Sequence, residues 1–333
     1  MLFPTRIAIR SLVLLPFVIL FLLIARGQSR ANEFSVSPPP IRVASNLVLV
    51  PVSVSDRYQK PVKDLSMSDF RIAEDGHPQN IASMQEPGQS PIELALLIDV
   101  SGSVMPRFEF ERKAGAEFLQ AVAGPQSFVS VFTVGPEGQI IRQRTNEPAE
   151  AMSALMSLSP TRGATALYDT LALAARHLKD TASPFSRRVQ VVLSDGEDTF
   201  SLTHGLDSAL QELQRADCLF YSINPASSSV KLNIISRRGQ EALQYLAAQT
   251  GGAAYLPADW SELPDIYRLI AADLQAQYLL AYYSSRRDTG ADDFRKIVVT
   301  IPGRPDLRVR ARQGYYPDFN GRRNLTTQDG SKD

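Results

Sequence analysis

Four short, largely apolar runs alternate with amphipathic stretches through the middle of this chain, and that alternation leaves few folds open. The runs are Leu94–Ile98, Phe128–Val134, Val189–Leu193 and Cys218–Ile223. Leu94–Ile98 has no polar residue, as a strand buried on both faces of a parallel sheet requires. Between and after the runs, apolar residues recur three or four apart: Phe110, Ala114, Phe118 and Val122, then Leu167, Leu171, Ala174 and Leu178. Leu206, Leu210 and Leu213 repeat the spacing, as do Leu263, Ile266, Ile270 and Leu274, while Glu241–Thr250 reads as a helix stopped by Gly251-Gly252. Buried strands alternating with such helices predict a doubly wound α/β domain with a mainly parallel sheet over 91–275. Within it, Ala226–Gln240 reads as a solvated insertion, from Ser227-Ser228-Ser229 and Arg237-Arg238-Gly239.

The flanks have a different period. Val48, Val50, Val52 and Val54 alternate with Leu49, Pro51, Ser53 and Ser55, and Phe70–Ala73 runs into the turn pair Asp75-Gly76. After the last helix, Tyr278–Tyr283, the alternating Ile297, Val299 and Ile301, and Leu307–Arg310 read as strands. Segments 41–90 and 276–317 are therefore expected to be β-rich and to pair into one small domain around the inserted α/β domain. Residues 318–333 have the composition of a disordered tail.

The N-terminus reads as a targeting segment over 1–31. Arg6 and Arg10 precede the apolar run Leu12–Ile24, which suits a signal-peptide core and is short of the roughly 20 residues of a bilayer span. Ala25-Arg26-Gly27 and Ser29-Arg30-Ala31 offer small residues for cleavage; an uncleaved anchor is the competing reading. A Ser/Pro linker, 32–40, follows. The expected location is exported: periplasmic, cell-envelope or secreted, with a membrane contact only through the N-terminal segment if it is kept. Cys218 is the single cysteine, so an intramolecular disulfide is excluded, and no cysteine follows the apolar run to carry a lipid. The formal net charge of zero argues against nucleic acid as a partner.

Chemistry gathers where the strands end. Leu94–Ile98 leads into Asp99-Val100-Ser101-Gly102-Ser103, at the carboxyl end of a strand, where open α/β sheets bind ligands. Val191-Val192-Leu193 leads into Ser194-Asp195-Gly196, and Gly163-Ala164-Thr165 opens a helix. Hydroxyls and carboxylates are the donors that a hard divalent cation such as Mg²⁺ takes. For each segment alone a plain reading exists: Asp99 and the serines as a helix cap, Asp195-Gly196 as a turn.

Asp99, Ser101, Ser103, Thr165 and Asp195 together resemble the metal-ion-dependent adhesion site of von Willebrand factor type A domains. The flanks resemble those of the bacterial VWFA-related proteins, through Phe70-Arg71-Ile72-Ala73-Glu74-Asp75-Gly76, Tyr278–Tyr283 and Val309–Tyr316. The resemblance covers about 40–317. It implies a divalent cation, Mg²⁺ first, held by the hydroxyls of Ser101, Ser103 and Thr165, with Asp99 and Asp195 bound directly or through water. It also implies a protein partner that offers a carboxylate to the metal. The expected function is an exported, non-enzymatic binding module. A metal-dependent hydrolase is the alternative from another class, and an envelope scaffold with a vestigial metal site is a third.

Against catalysis, Asp-Val-Ser-Gly-Ser is not Gly-x-Ser-x-Gly, no Gly-x-Gly-x-x-Gly follows the first strand, and His77, His177 and His204 have no paired spacing. Trp260, Tyr278, Tyr282 and Tyr283 read as packing residues rather than a binding platform.

Overall fold

In the computed structural model, the described residues are 47–102, 107–122, 124, 126–161, 163–225, 234–286 and 293–317. The targeting segment, the Ser/Pro linker, Ser103 and the tail from 318 lie outside them. Among the described residues no helix is long and apolar enough to cross a membrane.

The α/β domain is a six-stranded sheet built on β5 (Ile92–Asp99), every residue of which is buried. Parallel neighbours flank it: β6 (Phe128–Val134) on one side and β8 (Arg187–Leu193) on the other, followed outward by β9 (Cys218–Ile223) and the two-residue β10 (Ala254–Tyr255). An antiparallel edge strand, β7 (Gln139–Thr145), closes the far side. Successive side chains of a strand point to opposite faces, so β5 feeds two cores. Leu94, Leu96 and Ile98 pack with Phe118 and Leu119 of α1 (Phe108–Val122) and Tyr267, Ile270 and Leu274 of α6 (Leu263–Ala276). Ala95 and Leu97 pack with α3 (Leu167–Thr181), α4 (Leu206–Arg215) and α5 (Ile234–Thr250). A short α2 (Pro148–Met156) covers α1 through Ala151 and Leu155.

Helix α5 begins at Ile234, so the second half of the expected insertion is helical. Gly239 stands inside the helix because a side chain there would strike the Asp195 carbonyl, 2.8 Å from its Cβ position. The helix runs against the loop after β8, and only glycine allows that approach. Residues 226–233 of the expected insertion lie outside the described residues.

The flanking segments form two antiparallel sheets. One, ordered β13-β1-β11-β4, joins Arg308–Ala311, Leu47–Ser55, Tyr278–Tyr283 and Ile81–Gln85; the other, β14-β12-β2-β3, joins Gly314–Tyr315, Arg295–Thr300, Arg71–Glu74 and His77–Gln79. Asp75 and Gly76 both take positive φ (48° and 81°), the backbone of a tight hairpin between β2 and β3. The inner faces share a core of Val50, Val52, Phe70, Ile72, Tyr282 and Ile297. At its centre Glu74 and Arg295, both 0% exposed, stand 3.6 Å apart, with the Tyr282 and Tyr315 hydroxyls donating to Glu74.

The outer face of β1 and β11 is not solvated: Pro51, Ser53, Leu279 and Ala281 are buried too. It meets the α/β domain through a polar junction. Gln277 donates to Ser53 (3.1 Å) and the Tyr221 hydroxyl (3.0 Å) and accepts from Arg187 (3.1 Å). Asp273 takes the Tyr221 hydroxyl (2.6 Å) and pairs with Arg310. Arg187 opens β8, so the junction lies at the amino edge of the parallel sheet.

Tyr278 and Tyr282 are buried, whereas Tyr283 is exposed and Trp260 is 45% exposed, its ring edge-on to Phe110 at 4.8 Å. Packing accounts for the first pair and only half accounts for the tryptophan.

Candidate metal centre

Asp99 is the last residue of β5 and is 1% exposed. Pairing of Ile98 with Leu193 sets Ser194 and Asp195, which follow β8, beside it at the carboxyl edge. The contact is direct: the Ser194 hydroxyl donates to Asp99 Oδ2 (2.7 Å), while Asp99 Oδ1 accepts the Ser101 amide (2.9 Å). Ser101 is also buried. Burial pushes the Asp99 carboxyl above its ordinary value; hydrogen bonds from Ser101 and Ser194 oppose that, and the charge of Asp195 adds to it.

Asp195 is half-buried. Its Oδ1 accepts the Glu197 amide (3.1 Å), and its carbonyl accepts the Asn224 side chain (3.2 Å). Gly196 follows at φ 81°, its Cα against Gly239. Thr165, 6% exposed, reaches the same edge from the loop before α3. Its amide donates to the Thr199 hydroxyl (2.9 Å), and its carbonyl accepts the amides of Thr199 (2.9 Å) and Phe200 (3.0 Å), beyond Asp195. The next amide, Ala166, donates to Gly135 (2.8 Å), which follows the β6 residue paired with Asp99. Asp99, Ser101, Thr165 and Asp195 therefore share one sheet edge, on three loops tied to one another. Ser103 lies outside the described residues.

Neither Asp99 nor Asp195 has a lysine, arginine or histidine partner among the described residues. Two carboxylates at neighbouring strand ends repel each other, and burying one without a counter-ion is costly. Hydroxyl oxygens stand beside them in place of basic groups. This donor set fits a hard divalent cation, which would supply the missing positive charge and take oxygen ligands. Among the described residues no three His, Cys, Asp or Glu side chains cluster.

Several supporting residues carried no signal as site residues in the sequence. Ser194 and Thr199 hold Asp99 and Thr165 in place. Asp169 pins the loop after Asp198 by accepting the amides of Leu202 (2.7 Å) and His204 (2.8 Å) and the His204 ring nitrogen (2.7 Å). Burial alone would raise the Asp169 carboxyl, but these bonds outweigh it and hold it below its ordinary value. Glu111 of α1 is 0% exposed, bonded to Arg107 (2.9 Å) through one oxygen and to nothing through the other. Burial is the main cause that pushes it up to about 7, and Asp99 and Asp195 add to the rise.

The fold and the edge together describe an open, mainly parallel α/β sheet with oxygen donors gathered at its carboxyl end. Residues 94–197 match the family model described as von Willebrand factor type A domain, and the chain carries such a domain. A search of curated proteins gave no match. Among solved structures, the chain is similar to the conserved hypothetical protein BatB from Bacteroides thetaiotaomicron, at 18% identity and TM-score 0.43, over 55% of this chain and 98% of that one. It is also similar to proximal thread matrix protein 1 from the mussel byssus with a zinc-occupied MIDAS motif (15%, TM-score 0.48, 61% and 50%). A third is a von Willebrand factor type A structure from Catenulispora acidiphila (14%, TM-score 0.46, 80% and 71%).

Proposed function

We propose that this chain is an exported, non-enzymatic binding module that captures a protein partner through a divalent cation, Mg²⁺ first among candidates. One observation carries the reading: the Asp99 and Asp195 carboxylates stand at adjacent strand ends, with no basic partner among the described residues and with hydroxyls alongside. Ser101, Ser103 and Thr165 would hold the ion by their hydroxyls, and Asp99 and Asp195 directly or through water. The bound ion would accept a carboxylate oxygen from the partner at its free position, and the loops around it would select which partner is accepted. Export rests on the N-terminal pattern of Arg6, Arg10 and the run Leu12–Ile24.

Titration calorimetry with MgCl₂ tests the site. The wild-type chain should bind one ion, and Asp99→Ala should abolish the heat while leaving the circular dichroism spectrum intact. Unchanged Mg²⁺ affinity in Asp99→Ala would contradict the proposal.

A further inference from the structure

The surface around the metal edge has a composition of its own. Phe200 and Leu202 are 45% and 83% exposed, and Ile234 and Ile235 are 66% and 60% exposed. Both pairs belong to segments fastened to the loop that carries Asp195. On one side the Phe200 amide donates to the Thr165 carbonyl (3.0 Å), and Asp169 holds the backbone of Leu202, Thr203 and His204. On the other side the Ser236 hydroxyl donates to Glu197 (2.7 Å), and Gly239 lies against Gly196.

Arg237 and Arg238 follow on the same helical turn as the two isoleucines. Both are exposed, and neither has an ion pair or hydrogen bond among the described residues. Most other arginines of the α/β domain are engaged, for example Arg107 with Glu111, Arg144 with Glu93 and Arg188 with Asp217. Large apolar side chains held on pinned backbone, beside guanidinium groups unpaired among the described residues, mark a surface that covers a complementary one.

We propose that this rim docks an acidic segment of another protein, with bulky apolar side chains spaced between its carboxylates. One carboxylate would go to the metal, the apolar side chains would cover Phe200, Leu202, Ile234 and Ile235, and a further carboxylate would meet Arg237 or Arg238. The assignment rests on the metal reading above for the first contact only. The apolar and guanidinium contacts stand on the rim itself.

Fluorescence anisotropy with synthetic peptides tests it. The probe is a labelled peptide of glutamates and leucines in alternation. Its controls replace every leucine by serine or every glutamate by glutamine. In Mg²⁺ the full chain should bind the probe at least tenfold more tightly than either control. Ile234→Ser/Ile235→Ser, Leu202→Ser and Arg237→Glu/Arg238→Glu should each weaken binding about tenfold or more, with unchanged Mg²⁺ affinity by calorimetry.

Binding that resists chelator but falls in these variants keeps the rim and discards the metal contact. Binding lost in chelator yet unmoved by the variants keeps the metal and overturns the rim. No preference for the probe over its controls overturns the rim as well. So would self-association of the chain, seen by sedimentation and lost in the same variants, because it would assign the rim to a second copy.

Discussion

Replacing Glu111 by glutamine should stabilise the protein at neutral and alkaline pH and leave it unchanged in mild acid. The side chain is fully buried between α1 and the elements behind the metal edge, and its second oxygen has no partner. Facing it are Arg107, just before its own helix, Tyr267 of α6, and the carboxylates of Asp99 and Asp195. In the unfolded chain the group titrates near 4.5; in the folded protein it titrates at about 7. Between those values the native state holds a proton that the unfolded state has lost, so stability falls as pH rises through this window. At about 1.4 kcal/mol per pH unit, the full penalty above the window is roughly 3 kcal/mol, with the attraction of Arg107 already counted.

Glutamine has nearly the same shape and no charge to bury. Urea unfolding of wild type and Glu111→Gln, run in chelator at steps from pH 4.5 to 8, measures the difference directly. The two should coincide near pH 4.5, and the variant should gain up to about 3 kcal/mol by pH 8. A difference that stays flat with pH would refute the argument. A variant less stable at pH 8 would do so too, by showing that the pair with Arg107 outweighs burial.

Three further outcomes follow from the same geometry. Gly196→Ala puts a Cβ 2.5 Å from the Gly239 carbonyl oxygen at a backbone φ of 81°; it should cost about 2 kcal/mol or more in unfolding experiments and weaken Mg²⁺ binding by displacing Asp195. Asp169→Ala removes the acceptor for the amides of Leu202, Thr203 and His204, so hydrogen exchange there should quicken while the amides of β8 stay protected. Arg295→Met strands the buried charge of Glu74 and should cost about 3–5 kcal/mol, whereas Arg295→Met/Glu74→Leu should recover most of it; thermal melts of both variants check this.

The parallel sheet was legible because burial on both faces leaves a nearly unbroken apolar run, as in Leu94–Ile98. Elements that bury little were not. Strand β7, Gln139–Thr145, is an edge strand whose only apolar residues, Ile140 and Ile141, are partly buried, with Thr145 alone buried; α2 buries only Ala151 and Leu155. The first turns of α5 were obscured by Arg237-Arg238-Gly239, whose glycine reads as a break until the Asp195 loop is seen to need it. In α1 the buried stripe runs Phe108, Glu111, Ala114, Gly115, Phe118 and Val122, with Phe110 beside it and only partly buried. That register contains its own clue, since a glutamate on the apolar stripe is the one carboxylate on the helix that cannot be solvated.

At the metal edge, residue types and strand ends pointed to Asp99, Ser101, Thr165 and Asp195 because donor chemistry is written in side chains. The hydroxyls of Ser194 and Thr199 were silent because what they hold depends on which strands become neighbours. Strand β8 shows why those neighbours matter. It starts at Arg187, whose guanidinium is fixed by Leu274, Gln277 and Ser90 at the junction with the flanking sheets. It ends at Leu193, next to Ser194 and Asp195. A seven-residue strand spans roughly 23 Å, so junction and metal edge are opposite ends of one rigid element. The flanking sheets thus fix the amino edge and leave the carboxyl edge to the loops at 196–205 and the start of α5. On the proposed function, partner choice would be encoded in those loops, where the exposed Phe200, Leu202, Ile234 and Ile235 are found.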